Sequence, residues 1–288
     1  MRRNTERQDH PLVKEFMRLC QMYDLQGLLM DEKDNFTAAV EAFTFAKDEK
    51  PERARDITDF SNDQWLAILT LSEALHVSLN VFLHQDGAKT IKHYSITKAA
   101  FVSGESIESG DLTEREFVKW WATMKRTKQI KEYREEMTSR IKESYFDNLL
   151  EAHNLKWGGN IDSFLVLPGK DYKPLALIEN RITTKYSLKK YDPAVFYESD
   201  RRTWLPLFLI CNQLQIPLFL CTYSKIENET NELGISQVDT SHENTLKYID
   251  DIKPYERRFS DLQKARLWLY YEAIGFVARG RGVVDEKI

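Results

Sequence analysis

Asp162 and Glu179 are the residues of this chain whose type and setting point most directly to chemistry. Each stands in an apolar run, Ile161 to Leu167 and Pro174 to Asn180, and the runs are separated by a turn containing Pro168 and Gly169. Such a pattern predicts two strands of a hairpin. If the turn is Pro168 to Lys173, Leu167 faces Pro174, and counting back along both strands sets Asp162 opposite Glu179. Directly opposed side chains have Cβ atoms ~4.5–5.5 Å apart, so two carboxylates there repel unless a cation lies between them. Their neighbours Phe164, Val166, Leu175 and Leu177 are apolar, which makes simple solvation a poor explanation of both acids.

An all-oxygen site of this kind suits Mg²⁺, with Mn²⁺ able to substitute. Strand alternation points Arg181 to the same side as Glu179, placing a permanent cation beside the acids. Upstream, Glu143, Phe146 and Leu150 recur at three- and four-residue spacing, so Glu143 can share a helix side with two core residues and supply a third carboxylate. Downstream, Arg181, Lys185, Lys189 and Lys190 follow one another with no acid between them, a pattern suited to a phosphate backbone. Each reading has a plainer rival. Arg181 can simply neutralise Glu179, Glu143 can be a solvated helix residue, and the lysines can be a solvated loop.

The elements that must position these residues are predicted as helix, strand, strand, helix, strand. A capping box of Thr113 with Glu116 opens a helical stretch running with one break towards Asn154, and it is rich in Lys and Arg from residue 119 to residue 142. The hairpin follows, then a helix from Ala194 to Leu214 and a strand from Pro217 to Tyr223 that is apolar on both faces. Residues 225 to 250 read as a polar surface excursion with at most one edge strand, and a last helix spans Ser260 to Phe276. Before residue 113 the chain reads as mainly helical, from Leu12 to Leu29 and again from Asn62 to Leu83, with β-rich pieces at Thr90 to Ile96 and Ala99 to Ser103. No internal repeat is expected. The predicted fold class is therefore α/β (α+β), a mixed central sheet flanked by helices, with a mainly helical region over 1–112 and the candidate site in 113–288.

Asp162 in a first strand, Glu179-Asn180-Arg181 ending a second, and a preceding helix with Glu143 resemble the PD-(D/E)XK nuclease superfamily, the restriction-endonuclease-like fold. The resemblance covers residues 138 to 224. It implies that Asp162, Glu179 and Glu143 hold the metal and that the position of Arg181, usually Lys, orients the attacking water. An Arg cannot easily act as a base, so its part is limited to orienting water and stabilising phosphate charge. Lys185 is the alternative cation, reaching back from the following loop. The implied activity is metal-dependent endonucleolytic cleavage of DNA, of a restriction type, with a homodimer favoured because cutting both strands needs two such sites.

Composition limits these expectations. A net charge of -4 means that no global basic field announces nucleic acid, so DNA must be held by local patches. Cys20, Cys211 and Cys221 lack zinc-site spacing and are expected to be buried thiols of a cytoplasmic protein. No HExxH, GxxxxGK[ST] or GxSxG pattern occurs, and no apolar stretch is long enough to span a bilayer. Two rivals remain: a nuclease-fold protein that binds nucleic acid without cutting it, and a helical interaction module whose acids are structural.

Overall fold

The computed structural model describes residues 2–3, 10–47, 60–104, 108–126, 145–155, 157–167, 169, 171–226, 231–242 and 245–280. They form mixed α/β structure in two compact units, residues 1–5 with 25–160 and residues 6–24 with 161–288. No described helix is long and apolar enough to cross a membrane.

The first unit is a sheet rather than the mainly helical region its sequence suggested. The short β1 (Arg2–Arg3) pairs with β3. Helix α1 (Pro11–Cys20), which belongs to the second unit, ends at Gln21 in the left-handed conformation (φ 50), and the chain passes at once into β2 (Met22–Met30). From Asp24 to Leu29 β2 is buried without interruption, which gives its apolar residues the mixed spacing that imitates a helix. β3 (Phe36–Phe45) returns antiparallel to it. α2 (Asn62–Ala74) is capped by the Ser61 side chain, which accepts from the Gln64 N–H, and it crosses over to β4 (Leu79–Gln85), parallel to β3. β5 (Thr90–Ile96) is antiparallel to β4, and the next segment is a helix, α3 (Lys98–Ser103), capped by Thr97 and closed by Gly104 at φ 81, where the sequence suggested a strand. β6 (Glu108–Thr113) follows, and then α4 (Glu114–Met124), opened by the expected capping box. α5 (Tyr145–Ala152) completes a core of Val40, Ala42, Phe82, Phe117, Trp121, Phe146 and Leu150. The residue 112/113 boundary suggested by the sequence falls inside this unit.

The second unit carries the predicted hairpin, β7 (Gly159–Val166) and β8 (Pro174–Thr183). α6 (Tyr197–Leu214), entered through a 3-10 turn at Pro193–Phe196, connects β8 to a parallel β9 (Leu218–Ser224). β10 (Leu233–Asp239) lies antiparallel to β9, and β11 (Lys247–Tyr248) and β12 (Arg258–Phe259) both pair with it. The polar stretch read as a surface excursion thus contains a buried strand. α7 (Leu262–Gly280) packs with α1 over Ile178, Phe219, Cys221, Tyr223 and Ile235. Two hydrogen bonds fix α1 there: His10 Nε2–H donates to Ser224 O (3.0 Å), and the Tyr270 hydroxyl donates to Cys20 O (2.9 Å). The three cysteines are buried and unbridged, as expected.

A repeat absent from the sequence reading is visible in this order of elements. Hairpin, helix, parallel strand and antiparallel strand occur once in each unit. The helix that precedes each hairpin in the chain belongs to the other unit, α1 to the second and α5 to the first.

The first unit also contains an acid-sensitive element. His93 Nε2–H donates to Asn80 Oδ1 (2.9 Å), the ring stacks on Phe82 at 4.6 Å, and burial holds the imidazole at about 4 instead of 6.5. Burial lowers His84 in the same direction. Between pH 6.5 and about 4 the folded chain binds fewer protons than the unfolded chain, so this contribution is full above pH 6.5 and is lost as the pH falls through that window. Thermal melts should show Tm falling across it, with a shallower fall in His93→Gln. An unchanged pH slope in that variant would exclude His93 as the cause.

Candidate functional site

The backbone ladder of the hairpin runs up to the two acids in the register that the hairpin count expects. Ser163 pairs with Ile178, Phe164 with Leu177 and Leu165 with Ala176, and one further step sets Asp162 opposite Glu179. The expected pairing of Leu167 with Pro174 is shifted by a bulge, so that Pro174 faces Val166 while the site end of the hairpin keeps its register. Past Ser163 the side chains take over from the ladder. The Asn180 N–H donates to Asp162 Oδ2 (3.1 Å), and Asn180 Nδ2 donates to Ser163 Oγ (2.9 Å). Asp162 is therefore a fixed group, held by the residue that follows Glu179.

Both acids are buried, Asp162 at 6% exposure and Glu179 at 2%. Arg181, two residues beyond Glu179, brings its Nη2 to 2.9 Å from Glu179 Oε1, and its guanidinium lies 5.2 Å from the centre of the Trp204 ring. Trp204 stands on α6 and is buried. Glu179 and Arg181 thus face α6, while Ile178 and Ile182, on the opposite side of the strand, join the core under α1 and α7. Tyr223 on β9 is held protonated: burial first, then the neighbouring Cys221 and Cys20 and, more weakly, Asp162 push its hydroxyl well above its ordinary value.

The other expected site residues are distributed differently. Glu143 and most of the basic stretch from residue 119 to residue 142 lie outside the described residues, and α5, with Phe146, Leu149 and Leu150, is built into the first unit's core. Among the described residues no group of three His, Cys, Asp or Glu forms a metal-type cluster. Lys185, Lys189 and Lys190 are exposed on the segment after β8, whereas Arg181 is in contact with Glu179. That segment is shaped by Thr183, whose Oγ1 accepts from the Tyr186 N–H (3.0 Å) and donates to Tyr186 O (2.9 Å). Tyr186 and Phe196 expose 52% and 42% of their surface there, with ring centres 6.5 Å apart, so the lysines share the loop with solvent-facing rings.

Sequence reasoning missed Asn180, Ser163 and Trp204 as parts of the site. Trp204 carried a usable signal: four residues upstream of Phe208 on one helix face, it was bound to look inward at the strand bearing Glu179. No family model, curated protein or solved structure matches the chain.

Two facing carboxylates with oxygen donors alone fit a small hard cation that keeps part of its water shell. Without such an ion, Arg181 sets a positive charge against Glu179. Arg181→Met, measured by urea unfolding in EDTA, should lose roughly 2–4 kcal/mol because it leaves a buried charge unpaired, and Glu179→Gln with Arg181→Met should recover most of that loss. A loss under about 1 kcal/mol would class the contact with exposed ion pairs and remove this role.

Proposed function

We propose that the chain is a divalent-metal-dependent nuclease that hydrolyses phosphodiester bonds in DNA, with Asp162 and Glu179 as its metal-holding residues. The observation that carries this reading is the pair itself: two buried carboxylates, set opposite each other by strand register, with a guanidinium 2.9 Å from one of them. In chain order, α5, β7, β8, α6 and β9 follow the α, β, β, α, β sequence of the PD-(D/E)XK nucleases, the restriction-endonuclease-like fold, which the sequence resembles.

When bound, Mg²⁺ or Mn²⁺ supplies a water acidified towards neutral pH and positive charge for the phosphorus centre. The remaining work belongs to the chain. The Asn180 N–H holds the Asp162 carboxylate in place, and the Trp204 ring packs against the Arg181 guanidinium. Arg181 donates to a phosphate oxygen and orients water but takes no proton, because its guanidinium stays charged. Lys185, Lys189 and Lys190 provide point charges for the backbone, and the exposed rings of Tyr186 and Phe196 offer a surface on which an unpaired base can stack. A restriction-type role, with a homodimer to cut both strands, is the biological setting that fits such a site.

A second reading is favoured by the same Arg181–Glu179 contact. That ion pair neutralises the acid without a metal, as a nuclease-fold protein that binds nucleic acid but no longer cuts it would require.

Plasmid and linear DNA incubated with the chain in Mg²⁺, Mn²⁺ or EDTA separate the two. The nuclease reading predicts metal-dependent products that Asp162→Ala and Glu179→Ala each reduce at least ~100-fold while the fold is kept, with Arg181→Lys retaining or improving activity. Binding without cleavage in every metal would establish the second reading.

A further inference from the structure

The two units repeat each other residue by residue around the acid. In the second, the Leu177 N–H donates to Pro217 O, Leu177 pairs with Leu218, and Glu179 pairs with Leu220. In the first, the Ala39 N–H donates to Ser78 O, Ala39 pairs with Leu79, and Glu41 pairs with Val81. The strands close alike, Lys225 N–H to Thr183 O and Asp86 N–H to Phe45 O, both at 2.9 Å. The crossover helices end alike as well, with left-handed residues at Gln215 (φ 53) and His76 (φ 58) followed by N–H donation from Ile216 to Cys211 O and from Val77 to Ser72 O. At one constant interval, Trp65-Leu66, Leu75, Val77 and Leu79 are matched by Trp204-Leu205, Leu214, Ile216 and Leu218.

This correspondence assigns a partner to every part of the site. Glu41 matches Glu179 and is fully buried. Gly27 pairs with Val40, and one step further Gln26 stands opposite Glu41, where the second unit has Asp162. The Ala42 N–H donates to Gln26 Oε1 (2.5 Å), just as the Asn180 N–H donates to Asp162 Oδ2. The Gln26 N–H in turn donates to Glu41 Oε1 (3.1 Å). The position of Arg181 is taken by Phe43, whose ring packs on Phe60, which packs on Trp65, so an aromatic chain stands where the second unit has guanidinium on Trp204. One acid has become a neutral amide and the cation has become a phenyl ring.

We infer that the first unit is a copy of the second with its cation site closed, so that each chain holds a single divalent-cation site and cuts one strand per encounter. This rests on the nuclease reading above. An amide opposite a carboxylate halves the negative charge offered to a cation, and the hydrogen bonds from Ala42 N–H to Gln26 Oε1 and from Gln26 N–H to Glu41 Oε1 engage the oxygens that would ligate it.

Mn²⁺ titrated into the full chain, counted by calorimetry and native mass spectrometry, tests this. One ion per chain is expected, none in Glu179→Gln, one in Glu41→Gln and two in Gln26→Asp. Two ions in the wild type, one of them surviving Glu179→Gln and lost in Glu41→Gln, would overturn the inference and leave the second unit's site intact. No ion in the wild type would remove that site and the inference together. Should Gln26→Asp not fold, the wild-type and Glu179→Gln counts decide alone. With protein held too dilute for two chains to pair, supercoiled plasmid should accumulate as open circles before any linear form, and direct linearisation by the unpaired chain would overturn one cut per chain.

Discussion

Two carboxylates taken out of water side by side must be neutralised, and the second unit is organised around that requirement. Coulomb repulsion between Asp162 and Glu179 is weakly screened where each is almost fully buried. The strands meet it from both sides. A backbone N–H is turned onto Asp162, and a guanidinium, 5.2 Å from the centre of the Trp204 ring, is set against Glu179. Every element of the unit contributes: the hairpin fixes the facing register, α6 brings the tryptophan, and β9 locks β8 in place by parallel pairing. α1 and α7 cover the other side, where Leu165, Ala176, Ile178 and Ile182 join the core.

The first unit has the same geometry with one carboxylate, Glu41, in place of two. Gln26 makes the backbone contact that Asp162 makes, and an amide needs no cation, so an aromatic residue can occupy the position of Arg181. Differences of two side chains therefore separate two facing acids beside a guanidinium from an amide facing one acid beside a phenyl ring. The hydrogen-bond frame is unchanged, which fits a role for that frame in fold stability quite apart from chemistry.

The hairpin was legible because its signals are local: two apolar runs, a Pro-Gly turn and acids at matching distances from it. A bulge at Val166 altered the turn without disturbing the register at the site. The N-terminal sheet was not legible, since strands buried on both faces lose the alternation that distinguishes them from helices. β10 was hidden for a different reason. Its Gly234, Ser236 and Gln237 look like loop residues, yet Ser236 Oγ donates to Ile252 O (2.6 Å), and a Cβ on Gly234 would collide with Pro254 O, so polarity and small size serve close packing there. The repeat was present in the sequence as the matched tryptophan helices. Acid spacing alone misleads: Asp24 precedes Glu41 by the interval that separates Asp162 from Glu179, but the shorter turn at residues 31–35 makes Gln26 the facing residue.

The most direct test of a cation between Asp162 and Glu179 is to see one. Crystals of the chain soaked in Mn²⁺ and measured for anomalous scattering should show a single strong peak bounded by the carboxylates of Asp162 and Glu179, with none beside Gln26 and Glu41. Electron density that keeps the Arg181–Glu179 ion pair intact at saturating Mn²⁺, with no anomalous peak at either acid, would contradict a metal-dependent site and leave the pair as a structural charge contact.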